Sequence, residues 1–208
     1  MPKQNFDAII IGTGQAGAST AYQLAKRGHT NILLLEQAAN LNFANSARSG
    51  GGFRHQWSAE INIELSKWGV AAMGRSKEEL GVDAELDFSG YIFLVDNPAH
   101  WESFRADAKL QAKHGFPPQL LSPTEAKKII PELNIEGLIG AAYSDKDGLF
   151  SPMNVRRGYL NRAIHLGATM HFNQKVIGIE KETNNTFSIQ TNTTSYNCQH
   201  IVLSLIHI

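Results

Sequence analysis

An α/β fold built on a parallel sheet is what this sequence predicts, and three stretches carry the prediction. "FDAIII" (6–11) is a short apolar run rich in β-branched residues, the pattern of a buried strand. "GTGQAGASTAYQLAKRG" (12–28) follows, with glycines at 12, 14 and 17; Ala18, Ala21, Tyr22, Leu24 and Ala25 then keep a helical period, closed by Lys26, Arg27 and Gly28. "NILLLEQ" (31–37) is a second buried strand. Strand, glycine-rich turn, helix and strand make one right-handed βαβ unit with a parallel strand pair.

The rest of the chain adds elements in a different order. The glycine-rich "NSARSGGGFRHQWS" (45–58) leads into a helical pattern over 59–80, whose stripe of Ile61, Ile63, Leu65, Trp68, Ala72 and Met73 is expected in the core. Residues 85–97 read as a strand or hairpin, and 98–115 as a helix after an Asn-Pro turn. Residues 116–133 hold a short helix with Ser122 or Thr124 as its cap and Pro131 beyond it. A strand running into a turn (138–152) and a helix (153–167) follow, then strands at 168–173, 175–182, 186–192 and 200–205. Helix, strand, β-meander and strand is not a plain repeat of βα units. The natural division is discontinuous: 1–83 with 147–208 form a nucleotide-binding domain, and 84–146 part of an inserted domain.

Composition removes several classes of function. Lys plus Arg equals Asp plus Glu at 19 each, which leaves no electrostatic footprint for nucleic acid. The single Cys198 rules out an internal disulfide framework and a Cys-rich zinc site, and the histidines show no metal-ligand spacing, so no metal is expected. The longest apolar runs fall far short of the roughly 20 residues of a membrane span, and "MPKQNFDAIII" has the form of no targeting segment; a cytoplasmic location is expected. The last stretch, "QHIVLSLIHI", stops inside a strand pattern. A truncated frame is expected from it, with residues 204–208 foreign and an apolar sheet edge exposed.

The glycine spacing suits a dinucleotide. Gly12 permits the sharp turn, Gly14 lets a pyrophosphate approach the backbone, and Gly17 with Ala21 allows close packing of helix on sheet. Unpaired N–H groups at the helix start favour the anion. Glu36, about 20 residues on, can accept two ribose hydroxyl bonds and would repel a 2′-phosphate, which argues against NADP; Gln37 adjoins it. "SARSGGG" (46–52) offers a second close approach of backbone to ligand, with Ser46 and Arg48 as a hydroxyl and a cation. A flexible glycine loop with a solvated arginine is the plainer reading of those residues.

Together "FDAIIIGTGQAGASTAYQLAKRG", "NILLLEQ", "SARSGGGFRHQWS" and "DGLFSPMNVRRGYLNRAIHLGATMHFNQKVIGIE" resemble the FAD-dependent oxidoreductases of the D-amino-acid oxidase superfamily, over residues 6 to 203. The resemblance is strongest to the branch of sarcosine oxidase, dimethylglycine dehydrogenase, glycine oxidase and the proline dehydrogenase β-subunit. It implies a Rossmann-like FAD-binding domain with a β-meander plus part of an inserted α+β substrate domain. It places Gly12, Gly14 and Gly17 at the FAD pyrophosphate and Glu36 at the adenosine ribose, with Gln37 among the cofactor-binding residues. Ser46, Arg48, Ser49, Gly50 and Gly51 would lie along the pyrophosphate, ribityl and flavin side. Val176 would meet the adenine through its backbone, although an ordinary strand valine fits as well. Where the family continues into an Ala-Ala-Gly turn this chain reads "LSLIHI", so the fragment is expected to be inactive alone.

The implied reaction is oxidation of the C–N bond of a small amine or amino acid by hydride transfer to flavin, with the electron acceptor left open. Arg54 matches the arginine that clamps the substrate carboxylate in the sarcosine oxidase branch; pairing with Glu60 or solvent is the alternative. His55 is either a titrating group beside the flavin or a hydrogen-bonded structural histidine. Tyr91 and Phe93 alternate on one face of "FSGYIFLVD", shaping the pocket or packing the core. A non-catalytic flavoprotein acting as an assembly or interaction factor is the alternative function. A tRNA-modifying flavoprotein is disfavoured by the balanced charge.

Overall fold

The computed structural model describes residues 4–43, 45–183 and 185–205. Contacts divide the chain into two compact units, Met1–Ser49 with Ser76–Ala84 and Pro152–Ile208, and Gly50–Arg75 with Glu85–Ser151. Gly50–Arg75 thus clusters with the second unit, whereas the sequence division kept it in 1–83. The tie is β3 (Gly52–Phe53), which pairs antiparallel with β7 (Gly148–Leu149).

The first unit begins with β1 (Gln4–Ile11), α1 (Gln15–Lys26) and β2 (Ile32–Leu35), the βαβ unit read from sequence. Its later elements are α3 (Ser76–Leu80), α6 (Pro152–His165), β8 (Thr169–His171), β9 (Val176–Lys181), β10 (Phe187–Thr191) and β11 (Ser195–Leu203). They complete a six-stranded sheet of order β8-β2-β1-β11-β10-β9. The pairs from β8 to β11 are parallel, and β11-β10-β9 is an antiparallel meander.

Side chains alternate across a strand, so β1 divides its isoleucines between two cores. Ile10 joins Ile32 and Leu34 under Ala18, Ala21 and Tyr22 of α1 and Leu160 and Ala163 of α6. Ile9 and Ile11 join Leu33, Leu35, Ile189, Tyr196 and Cys198 on the other face. Strands covered on both faces read as unbroken apolar runs, which is why "AIII" and "ILLL" showed no alternation.

The expected exposed edge at "HIVLSLIHI" is corrected by this order. β11 lies between β1 and β10, so β8 and β9 are the edges of the described sheet. Backbone bonding also continues past β11, where the Ser204 N–H donates to the Ile11 carbonyl at 2.9 Å. Residues 206–208 of the stretch read as foreign lie outside the described residues.

Cys198 is 2% exposed, and burial pushes its thiol up to about 11, a bond from the Ile9 backbone opposing slightly. The unfolded chain therefore loses this proton first. The stability it contributes is complete below the unfolded value of about 8.5 and is lost as pH rises through about 11. Iodoacetamide at about pH 8 should label the folded protein slowly and the urea-unfolded protein fast, since only thiolate reacts; prompt labelling of the folded form would contradict the burial.

The second unit carries β3 and β7 with α2 (Glu60–Gly74), β4 (Tyr91–Val95), α4 (Pro98–Lys113), β5 (Gln119–Leu121), α5 (Pro123–Ile129) and β6 (Gly140–Ser144). Its sheet has the antiparallel order β4-β6-β5. Asn97 caps α4 by accepting from the Ala99 and His100 N–H groups. Ser122 rather than Thr124 caps α5, in a reciprocal capping box with Glu125.

The helical pattern over 59–80 is two helices, not one. α2 ends at Gly74, a poor helix former, and the Ser76 hydroxyl accepts from the Ala84 N–H at 3.0 Å at the start of α3. The stripe expected in the core is also corrected. Ile63 is buried, but Ile61, Leu65 and Trp68 are 65%, 59% and 62% exposed. They share the face opposite Ile63, while α2 packs within the unit on α4. No described helix is long and apolar enough to cross a membrane.

Candidate functional site

In the first unit the site is built on the turn from β1 into α1. Gly12 has φ +98°, left-handed backbone that a side chain would strain. A Cβ on Gly17 would collide with the Gly12 carbonyl oxygen, so turn and helix start are pressed together as the spacing predicts. Gly14 is the α1 N-cap; it supplies no side-chain bond, and no acidic residue lies in the first turn. The end of the helix that favours anions therefore carries no acidic residue in its own first turn. Ser46 reaches it: its Oγ accepts from the Gln15 N–H at 3.2 Å and lies 3.9 Å from where a Gly14 Cβ would stand.

Glu36 follows β2 and is 8% exposed. One oxygen accepts the Thr13 hydroxyl at 2.5 Å and the Thr13 N–H at 3.4 Å, and the other accepts the Ala38 N–H at 3.0 Å. Of the roughly four acceptor positions of a carboxylate, about one is left, fewer than the two bonds expected for ribose.

Behind Thr13 stands Arg156 of α6, fully buried. Its Nε donates to the Thr13 carbonyl at 2.6 Å, Nη2 to the Thr13 hydroxyl at 3.1 Å and Nη1 to the Leu41 carbonyl at 2.5 Å. Nη2 also lies 3.9 Å from the Glu36 carboxylate. Burial pulls the guanidinium below its usual value, and Glu36 partly restores it. Gln37, Arg48, Ser49 and Gly50 are exposed. Val176 is half-buried in β9 and packs against the core cluster of Ile9 and Ile11.

In the second unit Gly51 is buried with φ +75°, and its carbonyl accepts the Phe150 N–H at 2.9 Å. In the same unit, Asp147 collects three donors on one buried carboxylate. They are the His55 N–H at 2.7 Å, His55 Nδ1 at 2.9 Å and Gln56 Nε2 at 3.1 Å. His55 is 2% exposed and stacks on Phe116 at 3.9 Å and 4°. This is the geometry of the structural histidine, the second of the two readings of its sequence.

Arg54 is arranged differently. Its guanidinium lies 4.0 Å from the Trp57 ring centre, 5.2 Å from Phe93 and 5.9 Å from Tyr91. Its Nε is buried without a hydrogen-bond partner. Glu60, the partner considered from sequence, is instead 3.5 Å from His114 Nε2. Trp57 is fixed by donating from Nε1 to the Arg54 carbonyl at 3.0 Å and to Ser66 Oγ at 2.8 Å. Beside this pair opens a cavity of about 440 Å³. Among the described residues no group of three or more His, Cys, Asp or Glu is placed to hold a metal.

Sequence reasoning missed Thr13, Arg156 and Asp147. Thr13 was visible as a β-branched polar residue between two turn glycines. Asp147 was read only as part of a turn, and nothing local singles out Arg156 from its neighbour Arg157.

A glycine turn on a helix N-terminus, followed by an acidic residue closing the next parallel strand, defines a dinucleotide-binding α/β protein. The chain matches the family of FAD dependent oxidoreductases (DAO) over residues 7–205 and belongs to that family. It is 28% identical over 178 residues to FAD-dependent oxidoreductase domain-containing protein 1 of Xenopus laevis, covering 80% of this chain and 36% of that one. With human mitochondrial dimethylglycine dehydrogenase it shares 24% identity over 201 residues, covering 96% and 23%. The structure of L-proline dehydrogenase from P. horikoshii superposes with a TM-score of 0.83 at 28% identity, covering 98% of this chain and 53% of that one. The chain thus spans between about a quarter and about half of the length of these relatives.

Proposed function

We propose that this chain is the cofactor-binding part, with one side of the substrate site, of an enzyme that oxidises the C–N bond of an amino acid or N-methylated amine with FAD. The observation that carries the reading is Arg54: a guanidinium with a buried, unpartnered Nε in an aromatic setting, with the sequence alternative of a Glu60 pair set aside. Such a cation suits the carboxylate of an amino acid. The names of the relatives, dimethylglycine dehydrogenase and L-proline dehydrogenase among them, support the substrate class.

FAD supplies the acceptor for the hydride. Gly12, Gly14 and Gly17 with the α1 N-terminus and Ser46 would hold its pyrophosphate. Glu36 would take one ribose hydroxyl in its present bonding, and a second if the Thr13 hydroxyl turned away. Gln37, Arg48, Ser49, Gly50, Gly51 and Val176 stay as further contacts. Arg54 would bind and orient the substrate carboxylate. His55 would act through its bond to Asp147, holding the segment that carries Arg54. The alternative of a non-catalytic flavoprotein would gain from loss of the further carboxylate-binding groups that the family places beyond this chain; Arg54 favours the catalytic reading.

The test uses the full-length protein. It should purify yellow, and anaerobic addition of at least one of sarcosine, dimethylglycine, proline, glycine, leucine or phenylalanine should bleach the flavin; failure of every one of these would favour the non-catalytic reading. Gly17→Ala forces a Cβ against the Gly12 carbonyl, so its flavin affinity should fall about tenfold or more. A Gly17→Ala protein that keeps its flavin through dialysis would show that the turn does not seat the pyrophosphate.

A further inference from the structure

The cavity beside Arg54 is larger than a carboxylate clamp requires, and its walls are mainly apolar. Helix α2 presents Ser66, Gly69, Val70 and Met73 to it, positions spaced three, four and seven apart and therefore on one helical face. The Ser66 hydroxyl accepts from Trp57 Nε1, and Gly69, Val70 and Met73 bring no N–H or O–H side-chain group, which leaves the α2 wall mainly apolar. Trp57 is held by two hydrogen bonds, so the facing wall is rigid. Gly69 leaves a notch: a Cβ built there would meet nothing within 4 Å. Glycine is poor in a helix interior, and here neither packing nor a left-handed backbone demands it. What it provides is space. At about 440 Å³ the cavity lies within the range of roughly 300–1,000 Å³ that accommodates whole organic ligands.

We infer that this cavity receives the apolar side chain of the acid whose carboxylate Arg54 holds. The substrate class is then amino acids with bulky aromatic or branched side chains rather than glycine or sarcosine. The inference rests on the reading of Arg54 as the carboxylate clamp. Each methylene buried against Val70, Met73 and Trp57 gains about fourfold in affinity, whereas a polar side chain entering the same space would lose its water and find few polar groups in return.

Calorimetric titration of the flavin-loaded full-length protein with acetate, isovalerate and 3-phenylpropionate separates the two ideas. Affinity should rise about tenfold or more from acetate to 3-phenylpropionate. Gly69→Leu, which fills the notch, should bring 3-phenylpropionate down to the acetate level. Gly69→Ala adds one methyl group and improves helix propensity, and should fall between them with its fold secure. Equal affinities in the parent protein, or a preference that survives Gly69→Leu, would overturn the side-chain pocket and leave the clamp standing. Arg54→Met should abolish binding of all three. Acetate binding that persists in Arg54→Met, or no binding by the parent protein, would overturn the clamp and the pocket with it.

Discussion

Arg156→Met should lower stability by about 3–5 kcal/mol, the cost of removing one partner from a buried charged network, read as a lower denaturant midpoint at unchanged slope. Methionine fills much of the space but donates nothing. The Thr13 and Leu41 carbonyls lose their bonds to Nε and Nη1, and the Glu36 carboxylate keeps its burial while losing the nearby cation. Thr13→Val removes only the hydroxyl and should cost about 1–3 kcal/mol. Combined with Glu36→Gln, Arg156→Met should cost less than the two single losses added together, because the carboxylate it strands is no longer charged. Strict additivity, or an Arg156→Met midpoint equal to the parent's, would show that Arg156 is not what steadies the turn. Flavin should also leave this variant sooner, since Thr13 lies between Gly12 and Gly14.

The contrast between Glu36 and Arg156 explains what the sequence made legible. Glu36 ends a strand whose start, period and distance from Gly17 are all local, and the βαβ unit could be read for the same reason. Arg156 reaches Thr13 across 143 residues, and Asp147 reaches His55 across 92; no periodicity encodes such meetings. Strand order is equally non-local. "HIVLSL" reads as a buried strand wherever it sits, and only its pairing with both β1 and β10 tells an interior strand from an edge. The misreading of Trp68 has the same root, because a helical stripe says that one face is apolar and not what covers it. Arg54 could be singled out as a candidate by its place after the glycines, but its packing on Trp57 rather than beside Glu60 required the fold.

Asp147→Ala should be the second large loss, about 3–5 kcal/mol, because one side chain closes three contacts at once and each buried donor left without an acceptor costs about 1–3 kcal/mol. Without it the His55 N–H, His55 Nδ1 and Gln56 Nε2 stay buried with fewer acceptors, and Gln56 keeps only the Tyr91 carbonyl at 3.0 Å. Asp147→Asn is the informative variant. It retains the shape and one acceptor oxygen, and should cost about 1–3 kcal/mol. Arg54 immediately precedes this anchored pair, so under its proposed role as the carboxylate clamp, loosening the pair should weaken carboxylate binding more than the chemistry that follows. In the full-length enzyme Asp147→Asn should therefore raise KM for the amino acid while kcat stays close to the parent value, the signature of binding lost equally from ground and transition states. His55→Gln, which keeps its backbone N–H on Asp147 and loses the imidazole, should give the same split in milder form. A fall in kcat at unchanged KM in either variant would assign His55 and Asp147 to the chemical step and remove them from the support of Arg54.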